Sequence, residues 1–256
     1  MGRRYRRSGY SIDLINLIYG MGLLFYWFLV LWTIIAITLF RILMFFVSMI
    51  LFYKSGYKKK TGLGYLKTIF DKGYYGEYLL YRKVRKVLNE DNIFMNTYLP
   101  SEAKDIEDTE VDIIALSSKN IYCFEMKNYK GKIFGFREEY RWTQILKNRR
   151  EYMFYNPIRQ NEGHVKALET NLNVSQNDIV PIVVFSNRAD ISKVTARGVI
   201  RLKDVKKYLI EYETISQDKF GEAQLEKYRI KLNDFTNVSS DTIRNHIADV
   251  RELKRK

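Results

Sequence analysis

Between Asp13 and Lys54 the chain carries a single charge, Arg41, and the 40 residues from Leu14 to Tyr53 are otherwise almost wholly apolar. A bilayer core about 30 Å thick is spanned by roughly 20 apolar helical residues, so this run is long enough for membrane insertion and too long for one straight pass. Two readings fit it. Either two short passes lie near residues 14–31 and 35–53, or one pass lies near 21–40 with the rest tilted or at the interface. Arg3, Arg4, Arg6 and Arg7 precede the run, and Lys54, Lys58, Lys59 and Lys60 follow it. Basic residues at both ends favour two passes with both ends in the cytoplasm. Against that, neither Pro nor Gly marks a turn between Trp32 and Ala36. The run far exceeds the apolar region of a cleaved signal peptide and ends in no small-residue cleavage site. Myristoylation of Gly2 is excluded because Arg6 stands where Ser or Thr is required.

The apolar run also divides the charge. Of 43 basic and 29 acidic residues, nine basic and one acidic lie in residues 1–60, so a net +8 sits there and +6 in the remainder. The first share is explained by topology and attraction to anionic headgroups, and the second is too modest to identify a polyanionic partner. Cys123 is the single cysteine, and the two histidines, His164 and His246, lie far apart. Cysteine-based zinc sites, disulfide frameworks and the HExxH motif are thereby excluded, and any bound metal must be held by oxygen.

After a Lys- and Gly-rich stretch at 54–72, read as a linker, apolar residues at helical spacing predict a helix over 73–90, with Glu77 in its first turn. Residues 111–116 and 121–126 are β-branched and aromatic runs about a polar Ser117-Ser118-Lys119-Asn120 turn, which predicts a hairpin. Residues 133–136 and 140–145 suggest a further strand or hairpin. Asn156-Pro157 opens a helix to about Leu172, with Asn as cap and Pro at the first helical position. Residues 179–185 read as a strand covered on both faces. Helical patterns occupy 202–212, 222–232 and 241–254. The order helix, three strands, helix, strand predicts an α/β fold around a mixed sheet, with a helical tail.

A hairpin centred on Ser118 and Lys119 sets Asp112 opposite Glu125, with Cβ atoms about 4.5–5.5 Å apart, and alternation puts Lys127 on the same face. Like charges so placed destabilise a sheet unless a cation neutralises them. Mg²⁺ or Mn²⁺ suits oxygen donors, and the Met126 carbonyl adds one more. Such an ion acidifies water and stabilises phosphoryl charge, while Lys127 orients nucleophile or phosphate. Four acid-x-Lys triplets occur, at 102–104, 125–127, 204–206 and 252–254, but only the second lies in an apolar strand with an acid opposite. The alternative is a solvated ion-pair ladder on an edge hairpin.

Gly76-Glu77, Thr109-Glu110-Val111-Asp112, Phe124-Glu125-Met126-Lys127-Asn128-Tyr129-Lys130-Gly131, Trp142-Thr143-Gln144 and Asn156-Pro157-Ile158-Arg159-Gln160-Asn161 together resemble the NERD (nuclease-related) domain. That family is grouped with the PD-(D/E)XK nucleases. The resemblance covers roughly 73–187 and implies a restriction-endonuclease-like core and metal-dependent phosphodiester hydrolysis. It implies that Asp112, Glu125 and Glu77 serve the metal, that Lys127 is the catalytic lysine and that Gln160 is the polar residue of the second helix. Val111 stands where the superfamily has a Pro before its first acid.

The domains expected are a basic tail (1–11), a transmembrane segment (12–53), a basic linker (54–72), a nuclease-like domain (73–190) and a C-terminal strand and helical extension (191–256). Lys130, Lys132, Arg141, Lys147, Arg149 and Arg150 form the densest basic stretch beside the hairpin and are candidate nucleic-acid contacts, with a solvated face as the alternative. His164, one turn after Gln160, is a further contact candidate or else a core-edge residue. Trp142 and the tyrosines either stack bases or fill the core. The function expected is a membrane-anchored nuclease facing the cytoplasm, acting on DNA ahead of RNA. The alternative is an inactive anchored module that binds nucleic acid or a protein.

Overall fold

The computed structural model describes residues 9–101 and 108–236, with side chains from residue 16 onward. The basic residues at 3–7, the triplets at 102–104 and 252–254, the helical pattern at 241–254 and His246 lie outside the described residues.

The first of two units is one helix, α1 (Gly9–Lys54), of 46 residues. It runs unbroken through Trp32–Ala36, where a two-pass hairpin needs a turn. At 1.5 Å per residue it is about 69 Å long, more than twice the thickness of a bilayer core. Residues 16–54 are apolar enough and long enough to cross a membrane. Three of its aliphatic hydroxyls are satisfied within the helix: Thr33, Thr38 and Ser48 donate to the carbonyls of Val30, Ile34 and Phe45 at 2.7, 2.8 and 2.8 Å. That is the economy a polar group needs in hydrocarbon, where water cannot serve it.

The second unit begins at Ser55. The stretch expected as a linker is folded into two short helices, α2 (Tyr57–Thr61) and α3 (Tyr65–Phe70). Tyr57 is fully buried, and Lys60 donates to the Ile93 carbonyl at 2.8 Å. Next comes α4 (Lys72–Val84), capped by Asp71, whose carboxylate accepts the N–H groups of Gly73 and Tyr74. It starts early enough that Glu77 falls in its second turn, not its first.

A five-stranded sheet follows, built from β1 (Ile93–Pro100), β2 (Asp108–Leu116), β3 (Ile121–Lys127), β7 (Ile179–Phe185) and β9 (Val199–Arg201), in the order β1-β2-β3-β7-β9. The first three strands are antiparallel and the last two run parallel to β3. The strands β4 (Gly131–Gly135), β5 (Arg141–Ile145), β6 (Glu151–Tyr155) and β8 (Ala189–Val194) form a second sheet in the order β6-β5-β4-β8. Sequence periodicity did not foresee that separation, because neighbouring strands in the chain need not be neighbours in a sheet, and it also missed β1, β6 and β8.

Between β6 and β7 lies α5 (Pro157–Leu172). Asn156 caps it by accepting the Ile158 N–H at 2.9 Å. The same side chain donates to the carbonyls of Phe136, Arg137 and Glu139, tying the helix start to the β4–β5 turn. The chain continues through α6 (Val205–Ile215) and α7 (Glu222–Thr236). One face of the five-stranded sheet packs on α5 and α7, with Ile114, Cys123, Val165, Leu168, Leu225 and Leu232 in one buried cluster. The other face carries α4, where Gly76 lies against Met126 and Asn128. The fold is thus mixed α/β with two mixed sheets, a long apolar N-terminal helix and C-terminal helices.

Candidate active site at the parting of two strands

The hairpin register is the one centred on Ser118 and Lys119, with Leu116 opposite Ile121 and Ile113 opposite Phe124. Beyond that pair the strands part. Asp112 is not the next cross-strand partner of Glu125; its carboxylate accepts the backbone N–H of Met126 at 2.6 Å, in place of a ladder carbonyl. The cause lies in β1 and β2 together. Val111 and Ile114 belong to the same buried cluster, as do Phe94 and Leu99, although each pair has opposite strand parity. β1 and β2 therefore change face together at Asn96 and Asp112, and Asn96 takes a left-handed conformation with φ 49°.

On β3 alternation is regular, and each residue facing α5 is received by that helix. Cys123 exchanges hydrogen bonds with Asn161, its Sγ donating to Oδ1 at 3.1 Å and its carbonyl accepting from Nδ2 at 3.1 Å. Glu125, 2% exposed, is clamped on both oxygens. Lys127 Nζ lies 2.6 Å from Oε1, and His164 Nε2 lies 3.0 Å from Oε2. Lys127 also donates to Gln160 Oε1 at 2.9 Å, and His164 Nδ1 meets the Thr109 hydroxyl at 2.8 Å. With Glu125 ionised, the His164 nitrogen facing it carries a proton.

Glu77 reaches the site from α4 because Gly76 lets the helix close on β3. A Cβ there would come 2.8 Å from Asn128 Cβ and 3.2 Å from Met126 Cγ. Asn96 Nδ2 bridges Glu77 and Glu110, at 3.3 and 3.2 Å, and Tyr98 donates to Glu110 at 2.8 Å. Sequence reasoning missed Glu110, Asn96, Tyr98 and Thr109 as site neighbours. Glu110 stands two residues before Asp112 in the quoted motif, which was a usable signal; nothing in the sequence marks Asn96.

The acids divide by environment. Burial, followed by the nearby charges of Glu125 and Glu77, pushes the Asp112 carboxyl well above the usual range. Burial and then Glu110 push Glu77 up to about 7. Burial also works against the charge on Glu125, but Lys127 and His164 outweigh it and hold that carboxyl below its ordinary value. Burial opposes the Lys127 charge likewise, and Glu125 outweighs it, so the ammonium is held more firmly than usual. The result is one firmly ionised pair beside two reluctant carboxylates. Among the described residues, no three His, Cys, Asp or Glu side chains converge closely enough to hold a metal ion as they stand.

His164, expected as a nucleic-acid contact, is 3% exposed and faces Glu125 from within. The reason is helical phase: Gln160, Asn161 and His164 share the α5 face that covers β3. Trp142 is likewise core, fully buried and stacked on Phe185 at 6.2 Å. The six basic candidates are all exposed and lie on or beside the second sheet: Lys130 before β4, Lys132 on β4, Arg141 on β5, and Lys147, Arg149 and Arg150 in the β5–β6 turn. Arg137, from the same basic stretch, pairs with Glu162 at 2.6 Å.

Residues 72–186 match the family model of the nuclease-related domain, NERD. The matched stretch runs from the start of α4 through β7, the elements that carry every residue of the site. An uncharacterized protein of Bacillus anthracis is 28% identical over 149 residues, which are 56% of this chain and 68% of that protein. No solved structure matches.

Proposed function

We propose that the chain is a membrane-anchored, metal-dependent nuclease that hydrolyses phosphodiester bonds, of DNA ahead of RNA, at the cytoplasmic face of a membrane. The observation that carries the reading is the set Asp112, Glu125 and Lys127 gathered at the parting of β2 and β3, with Gln160 holding the lysine. A NERD match over the same residues supports it.

The donors suit a hard cation, since Asp112, Glu125 and the Met126 carbonyl offer oxygen alone, and Glu77 is a further acid whose charge Asp112 feels. In an extended strand the carbonyl of Met126 points to the same side as its N–H, toward Asp112. These groups would hold Mg²⁺ or Mn²⁺, which when bound would supply a more acidic water and offset charge on the phosphoryl group. Burial, and then the neighbouring carboxylates, disfavour the charged forms of Asp112 and Glu77, and a cation bound there would favour them. Lys127, firmly protonated and fixed by Glu125 and Gln160, is the group that orients the phosphate or steadies the charge that develops on it. His164 and Thr109 keep the Glu125 carboxylate from turning. α1 supplies the anchor, and Lys54, Lys58, Lys59 and Lys60 at its C-terminal side favour a cytoplasmic domain.

The test is cleavage of linear, circular and single-stranded DNA, and of RNA, by the full chain in detergent micelles with Mg²⁺ or Mn²⁺. Lys127→Ala and Asp112→Ala are both expected to abolish turnover. Activity that survives both substitutions refutes the site. Labelling of cysteines introduced at Ser8 and Lys58 in intact membranes reads the topology; an unbroken α1 that spans predicts opposite sides, with position 58 inside.

A second reading has its own support. Both oxygens of Glu125 are already occupied by Lys127 and His164, so the site is neutralised without a metal. That arrangement fits an anchored module that binds without cutting. Nucleic-acid affinity with no turnover and no Mn²⁺ binding selects it.

A further inference from the structure

We propose that the outer face of the second sheet is a stacking platform for unpaired bases of single-stranded nucleic acid. The inner face of this sheet is spent on the core: Ile133 and Trp142 are fully buried with Phe185, and Phe154 packs against them. Alternation therefore turns Lys132, Phe134, Thr143, Ile145, Met153 and Tyr155 outward. The register sets them in rows: Phe134 opposite Thr143 and Thr143 opposite Met153, with Arg141 opposite Tyr155 in the next row. Beyond the strand ends Phe136 and Tyr140 extend the face, and the Tyr140 ring stands edge-on to Tyr155 at 5.1 Å. Met153 is 66% exposed, Tyr140 61%, Phe136 55% and Tyr155 41%.

An apolar patch of this kind on a sheet face calls for an occupant. Its charge says which. Arg141 lies beside Tyr155, and Lys193 of β8 lies opposite Phe134, so a cation stands next to a ring in each of these two rows. Lys130, Lys147, Arg149 and Arg150 rim the same sheet. Rings interleaved with cations match a strand whose bases are free to stack and whose phosphates need neutralising. A duplex offers phosphates but no exposed base faces, and a protein partner has no need of the cations. Glu151 and Asp190 are the acids in the strand rows, opposite Ile145 and Lys132, and Glu138 and Glu139 lie in the turn between Phe136 and Tyr140, where Glu139 accepts the Phe136 N–H. Continuity with the site is close: β4 begins four residues after Lys127, and β6 ends five residues before Gln160. That link to cleavage rests on the nuclease reading; the binding itself does not.

The test is fluorescence anisotropy with the full chain in detergent micelles and EDTA, using a labelled oligothymidylate and a matching duplex. The single strand is expected to bind more tightly than the duplex, and more weakly as salt rises. Tyr155→Ala and Phe136→Ala are each expected to weaken single-strand binding about ten-fold, with Tyr155→Phe restoring it. Both side chains are exposed, so thermal unfolding should stay within a few degrees of wild type. Equal affinity for duplex and single strand, or affinity untouched by both alanine variants, overturns the platform. So does a dimer that Met153→Glu dissociates, which would mean that a second copy covers the face. Tight single-strand binding without cleavage in Mg²⁺ leaves the platform standing and refutes the nuclease reading. Cleavage whose rate and single-strand affinity ignore Tyr155→Ala does the reverse.

Discussion

The Asp112 carboxylate takes the backbone N–H of Met126 at 2.6 Å, one step beyond the last pair that β2 and β3 share. It thus does two things at once, satisfying a strand donor that has lost its ladder partner and standing next to Glu125 as an acid.

Those two roles separate by substitution. Asparagine keeps an oxygen for the Met126 N–H and removes a charge that burial, Glu125 and Glu77 oppose. Asp112→Asn should therefore match or exceed wild-type stability at pH 7. Asp112→Ala orphans a buried N–H and should lose about 1–3 kcal/mol. Urea unfolding of the two variants decides it: equal losses would mean that the hydrogen bond contributes nothing.

Glu77 gives the chain a pH dependence of definite sign. Its folded carboxyl titrates at about 7, above its unfolded value of 4.5, so the native state holds a proton that the unfolded state releases. The stability it contributes is full below pH 4.5 and is lost as pH rises through 7. Glu77→Gln should raise stability at pH 8 by up to about 3 kcal/mol without metal, and hardly at all at pH 4.5. An equal gain at both values would count against the shift.

Gly76 sets how closely α4 approaches β3. Gly76→Ala drives a methyl into Asn128 and Met126, and should cost about 1–3 kcal/mol while drawing Glu77 away from Asn96. Gly163, on α5, has nothing within 4 Å of its added Cβ, so Gly163→Ala should stabilise by about 0.5–1 kcal/mol through helix propensity. Paired melting curves test both; a neutral Gly76→Ala would show that the helix can yield.

Lys127 and Glu125 form a buried pair, which makes either half costly alone. Lys127→Ala should destabilise by about 3 kcal/mol because Glu125 keeps its charge with His164 as its remaining close partner. Adding Glu125→Gln should recover a large part of that loss. A double-mutant cycle in urea reads the coupling, and simple additivity would argue that the two side chains act independently.

Much of the frame was legible locally. The apolar run, the Asn156-Pro157 helix start and the hairpin register about Ser118 and Lys119 all follow from hydropathy, capping chemistry and turn residues, which act over a few positions. So does the face shared by Cys123, Glu125 and Lys127, since β3 alternates without a break. The NERD motifs then pointed to Asp112, Glu125 and Lys127 as a set.

What the sequence could not decide depended on contacts between distant elements. Alternation put Asp112 beside Glu125 as a simple cross-strand neighbour; the matched change of face at Asn96 and Asp112 moved it into the gap between strands. His164 stood open between a nucleic-acid contact and a core-edge residue until α5 lay on β3 and its ring met Glu125. Residues 54–72 read as a linker because Lys and Gly dominate their composition, yet Tyr57 and Lys60 find partners far along the chain. The basic stretch from Lys130 to Arg150 became one side of a separate sheet only when β8 returned to pair with β4. Periodicity reports how a residue faces its own strand or helix; which strands part, which helix covers them and which face is left open are settled by long-range packing.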